Sequence, residues 1–461
     1  MTADQIVVRS PYDGAEVGRV PKCTAADVDR AVAAAGAAVE KGPLPPWRRA
    51  EILDTAARLL GQRVDQFART IALESAKPLG TARVEVRRAV STFTFAAVEA
   101  RRLTGEMVAI DAAEVGEGRL AFTLRVPIGV VGAISPFNFP LNLVAHKLAP
   151  AIAAGCPVVL KPASQTPLTA VALAALLVDE CGLPSDHLHV VTGSGAEVGE
   201  ALVRHPDVAY LTFTGSGEVG WGIKERAGRK KVALELGNNS PVVVEADGDW
   251  RAAARSVAAT GFAHAGQSCV SVQRVLVQRA VADEFVTALA AHVGDLVVGD
   301  PLDEATDVSA LISTDDRDRV VAWIDEAVAA GARVVTGGGV GDDGLLRPTV
   351  LVDVTPDMRV CRDEVFGPVV AVQAYGSTDE GLGLADDTRY GLQAGIFTSS
   401  LATALRAARE LHFGTVLVNE VPTWRADQMP YGGVRASGNT REGPAAAVRE
   451  MTEERLVVVK A

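Results

Sequence analysis

The chain is poor in cysteine, and its five cysteines stand apart with no CxxC pair and no cluster with histidine. A disulfide scaffold or a zinc site normally needs paired or closely spaced ligands. The pattern therefore predicts a reduced, cytoplasmic protein without a disulfide framework. No metal site is expected.

Basic residues and long apolar runs are also scarce. The 45 lysines and arginines are outnumbered by 57 acidic residues, giving a formal net charge of −12. This balance disfavours nucleic acid or an anionic membrane as a partner. No apolar run approaches the roughly 20 residues that span a bilayer. The first ten residues, MTADQIVVRS, lack the basic flank and apolar core of a signal peptide.

What the chain does have is length and regular patterning. At 461 residues, 48% of them hydrophobic, it is too long for a single core, and two or three structural units are expected. Ala-rich amphipathic stretches within 24–103 predict surface helices. Residues 107–128 predict a long β-hairpin, and residues 455–460 predict a strand that could pair with the hairpin of another subunit.

From residue 128 onward, short apolar runs alternate with helical segments. Such alternation predicts an α/β fold of parallel strands and crossover helices, with a second cycle beginning after Ser240. The predicted strands are 128–134, 158–160, 188–191, 209–213, 241–244, 274–277, 333–335, 369–375 and 416–419. The predicted helices are 168–181, 250–264, 282–293 and 315–331.

Two strand ends carry residues suited to a nucleotide. The segment FTGSGEVG (213–220) matches GxGxxG, and Glu235 lies 20 residues after Gly215, where a Rossmann fingerprint places its ribose-binding acid. A lone motif of this kind also fits an ordinary Gly-rich helix start. Lys161 and Ser164 follow another strand, and the alternative for that lysine is simple solvent exposure.

Three further residues suit covalent chemistry. Cys269 ends the small turn GQSC, Glu235 lies in LELG before a Gly/Asn-rich turn, and Asn138 lies in SPFNFP. A thiol to attack, a carboxylate to activate water and an amide to hold an oxyanion suit the oxidation of an aldehyde. Glu235 is therefore interpreted as a base rather than a ribose ligand. The remaining cysteines are interpreted as core residues: Cys23, Cys156, Cys181 and Cys361.

Seven segments stand out by their order and spacing: SPFNFP (135–140), LKPASQTP (160–167), FTGSGEVG (213–220), LELG (234–237), GQSC (266–269), EVFGPV (364–369) and MPYGG (429–433). Together they resemble the NAD(P)-dependent aldehyde dehydrogenase superfamily from end to end. Three longer stretches are most similar to its lactaldehyde dehydrogenase-like and non-phosphorylating glyceraldehyde-3-phosphate dehydrogenase-like branch: NFPLNLVAHK (138–147), GQSCVSVQR (266–274) and VNEVPTWRADQMPYGG (418–433).

The resemblance implies the aldehyde dehydrogenase fold in three parts. A Rossmann-variant cofactor domain would comprise 1–106 and 126–237, and an α/β catalytic domain would comprise 238–430. A β-hairpin oligomerisation element would comprise 107–125 and 444–461. The implied assembly is a homodimer or homotetramer.

The resemblance also implies an activity and its residues. Cys269 would be the nucleophile, Glu235 the general base and Asn138 the oxyanion donor. The expected reaction is NAD(P)⁺-dependent oxidation of a short polar or anionic aldehyde to its acid, through a thiohemiacetal and a thioester. The expected cofactor-binding residues are Ser135, Pro136, Phe137, Lys161, Ala163, Ser164, Gly195, Gly199, Phe213, Thr214, Gly215, Ser216, Val219, Leu236, Gly237, Glu364 and Phe366.

Two departures from the family pattern bear on the cofactor. Asn238 replaces a second glycine, and asparagine is one of the residues that best tolerate positive φ. Ser164 stands where many NAD-preferring relatives carry a glutamate that repels a 2′-phosphate. The sequence therefore predicts that NADP⁺ is accepted, and its preference over NAD⁺ is left open.

Four residues are candidates to bind the substrate. Arg102 and Arg425 match positions where phosphate-binding relatives place arginines, whereas Ser268 replaces an arginine that those relatives carry before the nucleophile. His146 is a further candidate, and Arg274 is at least as well explained by a structural role. The alternatives are a succinate-semialdehyde-type or broad-specificity enzyme and, disfavoured by the intact triad, a non-catalytic binding protein.

Overall fold

Parallel sheets with crossover helices form most of the fold, which confirms the predicted α/β class. The computed structural model describes residues 4–460. The strands are β1 (Gln5–Arg9), β2 (Glu16–Pro21), β3 (Met107–Val108), β4 (Arg119–Pro127), β5 (Val130–Ile134), β6 (Val158–Lys161), β7 (Leu188–Val190), β8 (Val208–Thr214), β9 (Lys231–Glu235), β10 (Pro241–Val244), β11 (Arg274–Gln278), β12 (Arg333–Thr336), β13 (Thr349–Val352), β14 (Val369–Tyr375), β15 (Gln393–Phe397), β16 (Thr415–Val418) and β17 (Thr452–Lys460).

Helices pack on both main sheets, and further helices precede the first of these sheets and follow the second along the chain. They are α1 (Ala25–Lys41), α2 (Pro46–Gln62), α3 (Val64–Ser75), α4 (Leu79–Arg102), α5 (Asn142–Ala154), α6 (Leu168–Ala175), α7 (Glu200–Arg204), α8 (Gly217–Arg226), α9 (Trp250–Gly261), α10 (Ala282–Gly294), α11 (Thr314–Ala329), α12 (Arg359–Arg362), α13 (Thr378–Asp386), α14 (Leu401–Glu410) and α15 (Pro444–Glu450). Within residues 4–460, no helix combines the length and apolarity that crossing a membrane requires.

The first half contains a five-stranded parallel sheet in the order β7-β6-β5-β8-β9. Every residue of β5 and β6 is buried, which explains their continuous apolar sequences. Strands β6 and β7 follow β5 on one side of the sheet, whereas β8 and β9 are added on its other side, so the chain switches sides between β5 and β8. Ligands of open parallel sheets bind in the crevice at such a switch point, outside the carboxyl ends of the strands.

The second half contains a seven-stranded sheet in the order β12-β13-β14-β11-β10-β15-β16. Only β12 is antiparallel to its neighbour. The hydrophobic core of this second half is built from the central strands and from α9 to α11. Val242, Val275 and Phe285 are fully buried in it. The loop between α9 and β11, which carries Cys269, therefore begins and ends on rigid elements.

The hairpin predicted at 107–128 forms with a much shorter first strand than expected. Only Met107 and Val108 pair with β4, because two short 3₁₀ turns, Ile110–Ala112 and Glu114–Gly116, lead the chain away. The long antiparallel partner of β4 is β17 of the same chain, in register from Thr452 opposite Pro127 to Lys460 opposite Arg119. The last strand therefore pairs with β4 of its own chain and forms one edge of this three-stranded sheet.

The segment before β17 returns to the cofactor sheet. Leu236 N donates to Ser437 O at 3.0 Å, and Leu234 N donates to Asn439 Oδ1 at 2.8 Å. Beyond it, Val448 of α15 is buried with α4 and α5 in one core. This return places residues 425–442 beside the carboxyl end of β9, where Glu235 lies.

Candidate active site

The loop before Cys269 has an unusual backbone. His264, Ala265 and Gly266 have φ of 50°, 53° and 70°, so three consecutive residues are left-handed. For residues with a Cβ this conformation costs roughly 1–2 kcal/mol each. Gly266 is needed here, since a Cβ would lie 2.0 Å from Gly367 O. Strain of this kind at a loop that carries a reactive group is a recurrent feature of functional sites.

Cys269, Glu235 and Asn138 line one cavity of about 440 Å³. Asn138 follows β5, Glu235 ends β9, and Cys269 precedes β11, so the cavity lies between the two main sheets. The structure therefore brings together the three residues that the sequence proposed as a catalytic set.

The thiol of Cys269 has one polar neighbour that the sequence did not predict. Its Sγ lies 3.1 Å from the Tyr431 hydroxyl. Although part of Cys269 faces the cavity, desolvation raises the pKa of the thiol to about 12, and the Tyr431 hydrogen bond opposes that rise. The thiol is therefore protonated at neutral pH, and attack on a carbonyl requires a group that accepts its proton.

Glu235 is suited to accept a proton. Both carboxyl oxygens are buried without a hydrogen-bond partner among the described residues. Burial, followed by the nearby Glu442 carboxylate, holds the pKa of Glu235 well above its usual range, against the opposing effects of Arg425 and Lys147. A carboxylate with a raised pKa is a stronger base than an exposed one, as general base catalysis near neutral pH requires.

Asn138 is held against the cysteine loop. Its Nδ2 donates to Gln267 O at 2.8 Å. A side-chain amide carries two N–H donors, so a second donor remains for an oxyanion near Cys269. Gln267 itself accepts a hydrogen bond from Ile312 N at 2.9 Å through its side chain, which fixes the loop from the other side.

A second cavity of about 480 Å³ adjoins the first and shares Ala163, Phe213 and Val219 with it. All the predicted cofactor residues line one or the other. The first is lined by Ser135, Pro136, Phe137, Ala163, Phe213, Thr214, Gly215, Ser216, Val219, Leu236, Gly237, Glu364 and Phe366. The second is lined by Lys161, Ala163, Ser164, Gly195, Gly199, Phe213 and Val219.

The paired cavities fit a dinucleotide. Near Cys269 the wall is aromatic, with Phe137 and Phe366 edge-to-face at 5.9 Å between ring centroids, as a nicotinamide ring would need. The buried Ser135 Oγ has no partner among the described residues. At the far end burial lowers the pKa of Lys161 to about 8. Gly215 precedes α8, whose amino end can bind phosphate.

The asparagine at position 238 was expected to tolerate a positive φ, but Asn238 does not have a positive φ. Its side chain instead donates to Ser240 Oγ at 3.0 Å and to Gln393 O at 3.1 Å, while its backbone N–H donates to Glu364 Oε1 at 3.0 Å. The neighbouring Gly237 is required by space, because a Cβ would lie 2.1 Å from Glu364 Oε2. The asparagine side chain therefore fastens the turn to Ser240 and Gln393, whereas the bond that holds Glu364 comes from the backbone and does not depend on the substitution.

Arg425 and His146 meet behind the thiol. Arg425 Nη2 lies 3.0 Å from His146 Nε2 and donates to Glu442 Oε2 at 2.9 Å. The guanidinium carbon lies 3.8 Å from the centroid of the Tyr431 ring. Its Nε is buried without a partner among the described residues. An unused guanidinium donor therefore lies one aromatic ring away from Cys269.

The structure does not bring Arg102 into this site. Arg102 ends α4, its side chain is 64% exposed, and it pairs with Glu99. Arg88, on the same helix, pairs with Asp427 at 2.9 Å, and Asp427 Oδ1 also lies 3.1 Å from His146 Nε2. At about 1.5 Å rise per residue, Arg102 lies about 21 Å further along α4 than Arg88. Ser268 lies beside Cys269 and is half-buried.

Several residues of the site were not predicted. They are Arg88, Lys147, Arg226, Asp427, Tyr431 and Glu442. Tyr431 belongs to the MPYGG segment, and Lys147 Nζ donates to Thr214 Oγ1 at 2.7 Å. Arg226 lines the second cavity beside Ser164. The MPYGG motif was the one available signal for Tyr431, whereas nothing local distinguishes Arg88 or Asp427.

A parallel-sheet cleft for a dinucleotide that opens on a buried thiol and a carboxylate defines an NAD(P)-dependent oxidoreductase. The chain belongs to the aldehyde dehydrogenase family, whose sequence model matches residues 1–457. It therefore acts on aldehydes with NAD or NADP as cofactor, and the family resemblance of its motifs is confirmed.

Relatives and solved structures agree with this assignment. The 3-sulfolactaldehyde dehydrogenase of Priestia aryabhattai is 46% identical over 99% of this chain and 95% of its own length. The lactaldehyde dehydrogenase of Methanococcus aeolicus is 37% identical over 98% of this chain and 97% of its own. The glyceraldehyde-3-phosphate dehydrogenase GapN of Methanocaldococcus jannaschii, complexed with NADP, superposes with TM-score 0.95 at 35% identity, covering 100% of both chains.

Proposed function

We propose that this enzyme oxidises a short aldehyde with a polar or anionic far end to its carboxylic acid, through a covalent intermediate on Cys269. The observation that carries the proposal is the single cavity lined by Cys269, Glu235 and Asn138, which continues into the dinucleotide cleft. The relatives named for sulfolactaldehyde and lactaldehyde support the substrate class.

In the first half of the reaction, the Cys269 sulfur bonds to the carbonyl carbon. The thiol proton passes to the Glu235 carboxylate, directly or through a water molecule. The resulting oxyanion accepts a hydrogen bond from the second Asn138 N–H and from the Cys269 backbone N–H. Each such donor typically lowers the barrier by about 3–4 kcal/mol.

The second half releases the acid. The chemistry supplied by bound NAD(P)⁺ is hydride acceptance, which oxidises the thiohemiacetal to a thioester. Glu235 releases the thiol proton to solvent and, as a carboxylate again, removes a proton from water, whose oxygen attacks the thioester carbon. The carbon–sulfur bond breaks, the carboxylic acid leaves, and the proton returns to the Cys269 thiolate.

The substrate class rests on Arg425. Its buried guanidinium has an unpartnered Nε and stacks on the ring of Tyr431, whose hydroxyl lies 3.1 Å from Cys269 Sγ. Planar, forked guanidinium donors suit carboxylate, sulfonate or phosphonate oxygens. His146, whose pKa is lowered by burial and then by Arg425, adds a neutral polar edge.

The R425K variant tests this assignment. Lysine keeps the charge that balances Glu442 but loses the fork, so kcat/KM for short anionic aldehydes is expected to fall about 10-fold or more. Propanal, which has no anion to bind, should change much less. A panel of short sulfonated, carboxylated, phosphonylated and neutral aldehydes measures this. A wild-type preference for benzaldehyde or long alkanals would contradict the anion site.

We further propose that NADP⁺ is an efficient cofactor. The Ser164 hydroxyl donates to Gly193 O at 2.8 Å, and position 164 contributes no carboxylate that would repel a 2′-phosphate. Arg226 lines the same cavity, but it is paired at 3.1 Å with Glu200, a carboxylate that lines the cavity as well. Lys161, whose ammonium donates to Pro162 O and forms no ion pair among residues 4–460, is the cation available to the phosphate.

The S164E variant is expected to shift the kcat/KM ratio of NADP⁺ to NAD⁺ by about 10-fold or more toward NAD⁺, because like charges are brought together. The S164Q variant is the matched control, since it adds the same bulk without charge. Steady-state kinetics with each cofactor measures the ratio. Equal ratios in S164E and S164Q would rule out charge repulsion as the determinant.

We propose that the enzyme is a homodimer or homotetramer assembled through the sheet of β3, β4 and β17. Leu120 and Leu124 on β4, and Leu456 and Val458 on β17, are 42–53% exposed. A ribbon with apolar residues on its surface normally needs cover. Light scattering that gave the mass of a single chain would contradict this assembly.

A further inference from the structure

Tyr431 contacts the proposed nucleophile, Cys269, but has no part in the reaction steps proposed so far. Its hydroxyl lies 3.1 Å from Cys269 Sγ, and either atom can donate while the sulfur carries its proton. Tyr431 is 2% exposed. Once the thiol ionises, only the phenol can donate, because a thiolate has no hydrogen.

We propose that Tyr431 is a catalytic residue whose phenol O–H donates to the Cys269 thiolate, stabilising it and fixing the direction of the sulfur before it attacks the aldehyde. The proposal rests on Cys269 being the nucleophile. No proton is transferred by Tyr431, since the thiol proton leaves to Glu235 and the phenol keeps its own. The residue adds a hydrogen bond to the charged form of the sulfur.

The surroundings keep the phenol in place and protonated. The Arg425 guanidinium stacks on its ring at 3.8 Å, and backbone hydrogen bonds join Tyr431 to Glu442. Burial, followed by the proximity of Cys269, holds the pKa of Tyr431 well above its usual range, although Arg425 acts in the opposite direction. The phenol is therefore a donor throughout the working pH range.

The other charged groups that face Cys269 do not duplicate this bond. Glu364 and Glu235 both disfavour the thiolate, and Arg425 favours it through space without a hydrogen bond to the sulfur. The side-chain hydrogen bond that favours ionisation of Cys269 is the one from Tyr431. A buried tyrosine with a purely structural role would leave the ionisation of the thiol unchanged.

The Y431F variant tests the proposal, because phenylalanine keeps the ring under Arg425 and removes only the hydroxyl. The rate of iodoacetamide alkylation at Cys269 is measured by peptide mass spectrometry from neutral to alkaline pH, without cofactor. A hydrogen bond to a charged group is expected to change the thiolate population about 10- to 100-fold. The higher pKa partly restores nucleophilicity, so alkylation should slow by about 3- to 10-fold net.

The matched control is Y375F. Tyr375 is also fully buried, its hydroxyl donates to Val244 O at 3.0 Å, and neither residue lines the cavity that holds Cys269. Its alkylation profile should overlay the wild-type profile, and thermal unfolding should confirm that both variants fold. The initial burst of NAD(P)H should also be slower in Y431F than in Y375F.

A Y431F profile that overlays the wild type would overturn the role of Tyr431 and leave Cys269 as the nucleophile. Full turnover by C269S would instead overturn the proposed function itself. The two failures are therefore separate observations.

Discussion

The C269S variant is expected to lose aldehyde oxidation by on the order of 10⁴-fold or more, because a serine hydroxyl is a far weaker nucleophile than a thiol and no other route to the acid is available. Serine is nearly isosteric, so cofactor binding and thermal unfolding should remain close to wild type. NAD(P)H absorbance with a saturating short aldehyde measures the loss. Alkylation of the wild-type thiol should abolish activity in the same way.

The C23S variant provides the matched control. Cys23 is half-buried, and its sulfur lies 3.8 Å from Thr192 Oγ1, outside the cavity that holds Cys269. The same chemical change at this position should leave kcat within about 2-fold, as is usual for a tolerated substitution away from a site. Comparable losses in C23S and C269S would indicate a general effect of thiol replacement rather than covalent catalysis.

The E235Q variant is expected to uncouple the two halves of the reaction. Glutamine cannot take a proton from water, so thioester hydrolysis should slow by about 10²- to 10⁴-fold. A burst of up to one NAD(P)H per active site should remain, since the enzyme can still be acylated, followed by a very slow steady state. Stopped-flow absorbance resolves the two phases. The burst should itself be slower than in the wild type to the extent that Glu235 also accepts the thiol proton.

The pH dependence supplies a second readout of the same variant. Because burial raises the pKa of Glu235, its active carboxylate form is depleted at low pH, and hydrolysis in the wild type should rise with pH through that pKa. E235Q should lose this dependence. The E245Q variant is the matched control, since Glu245 is likewise 5% exposed but follows β10 outside the site. A normal steady state in E235Q would rule out Glu235 as the base.

The residues at strand ends could be predicted from the sequence because a local pattern specifies them. Asn138, Lys161, Gly215 and Glu235 each follow or end a strand of one parallel sheet. The carboxyl ends of such strands meet at one edge, so recognising the strands was enough to place these side chains together. The family motifs added Cys269, whose loop reaches the same edge from the second half of the chain.

The contacts that the sequence did not reveal join segments far apart along the chain. Tyr431 lies 162 positions after Cys269, and Arg88 lies 339 positions before Asp427, so no local periodicity relates them. Arg102 matched a motif position but faces solvent at the end of α4. The motif placed Arg102 on the correct helix but could not show that the site lies beside Arg88, about four turns earlier in α4.

The strands that were missed or misassigned have similar causes. The run QAGIF (393–397) contains Gly395, a weak strand former, yet β15 is fully buried between two parallel neighbours. The sequence predicted that β4 pairs along its length with residues just after Met107, its nearest neighbours in the chain. Its actual partner, β17, lies more than 300 residues further along the chain.

Trapping the covalent intermediate tests the central claim most directly. E235Q is mixed with a short anionic aldehyde and NADP⁺, quenched in acid during the burst and digested, and its peptides are weighed. The account predicts that the peptide bearing Cys269 gains the mass of the acyl group, only when cofactor is present, and in proportion to the NAD(P)H formed. Hydride transfer without any adduct on Cys269, or with the acyl group on another residue, would contradict it.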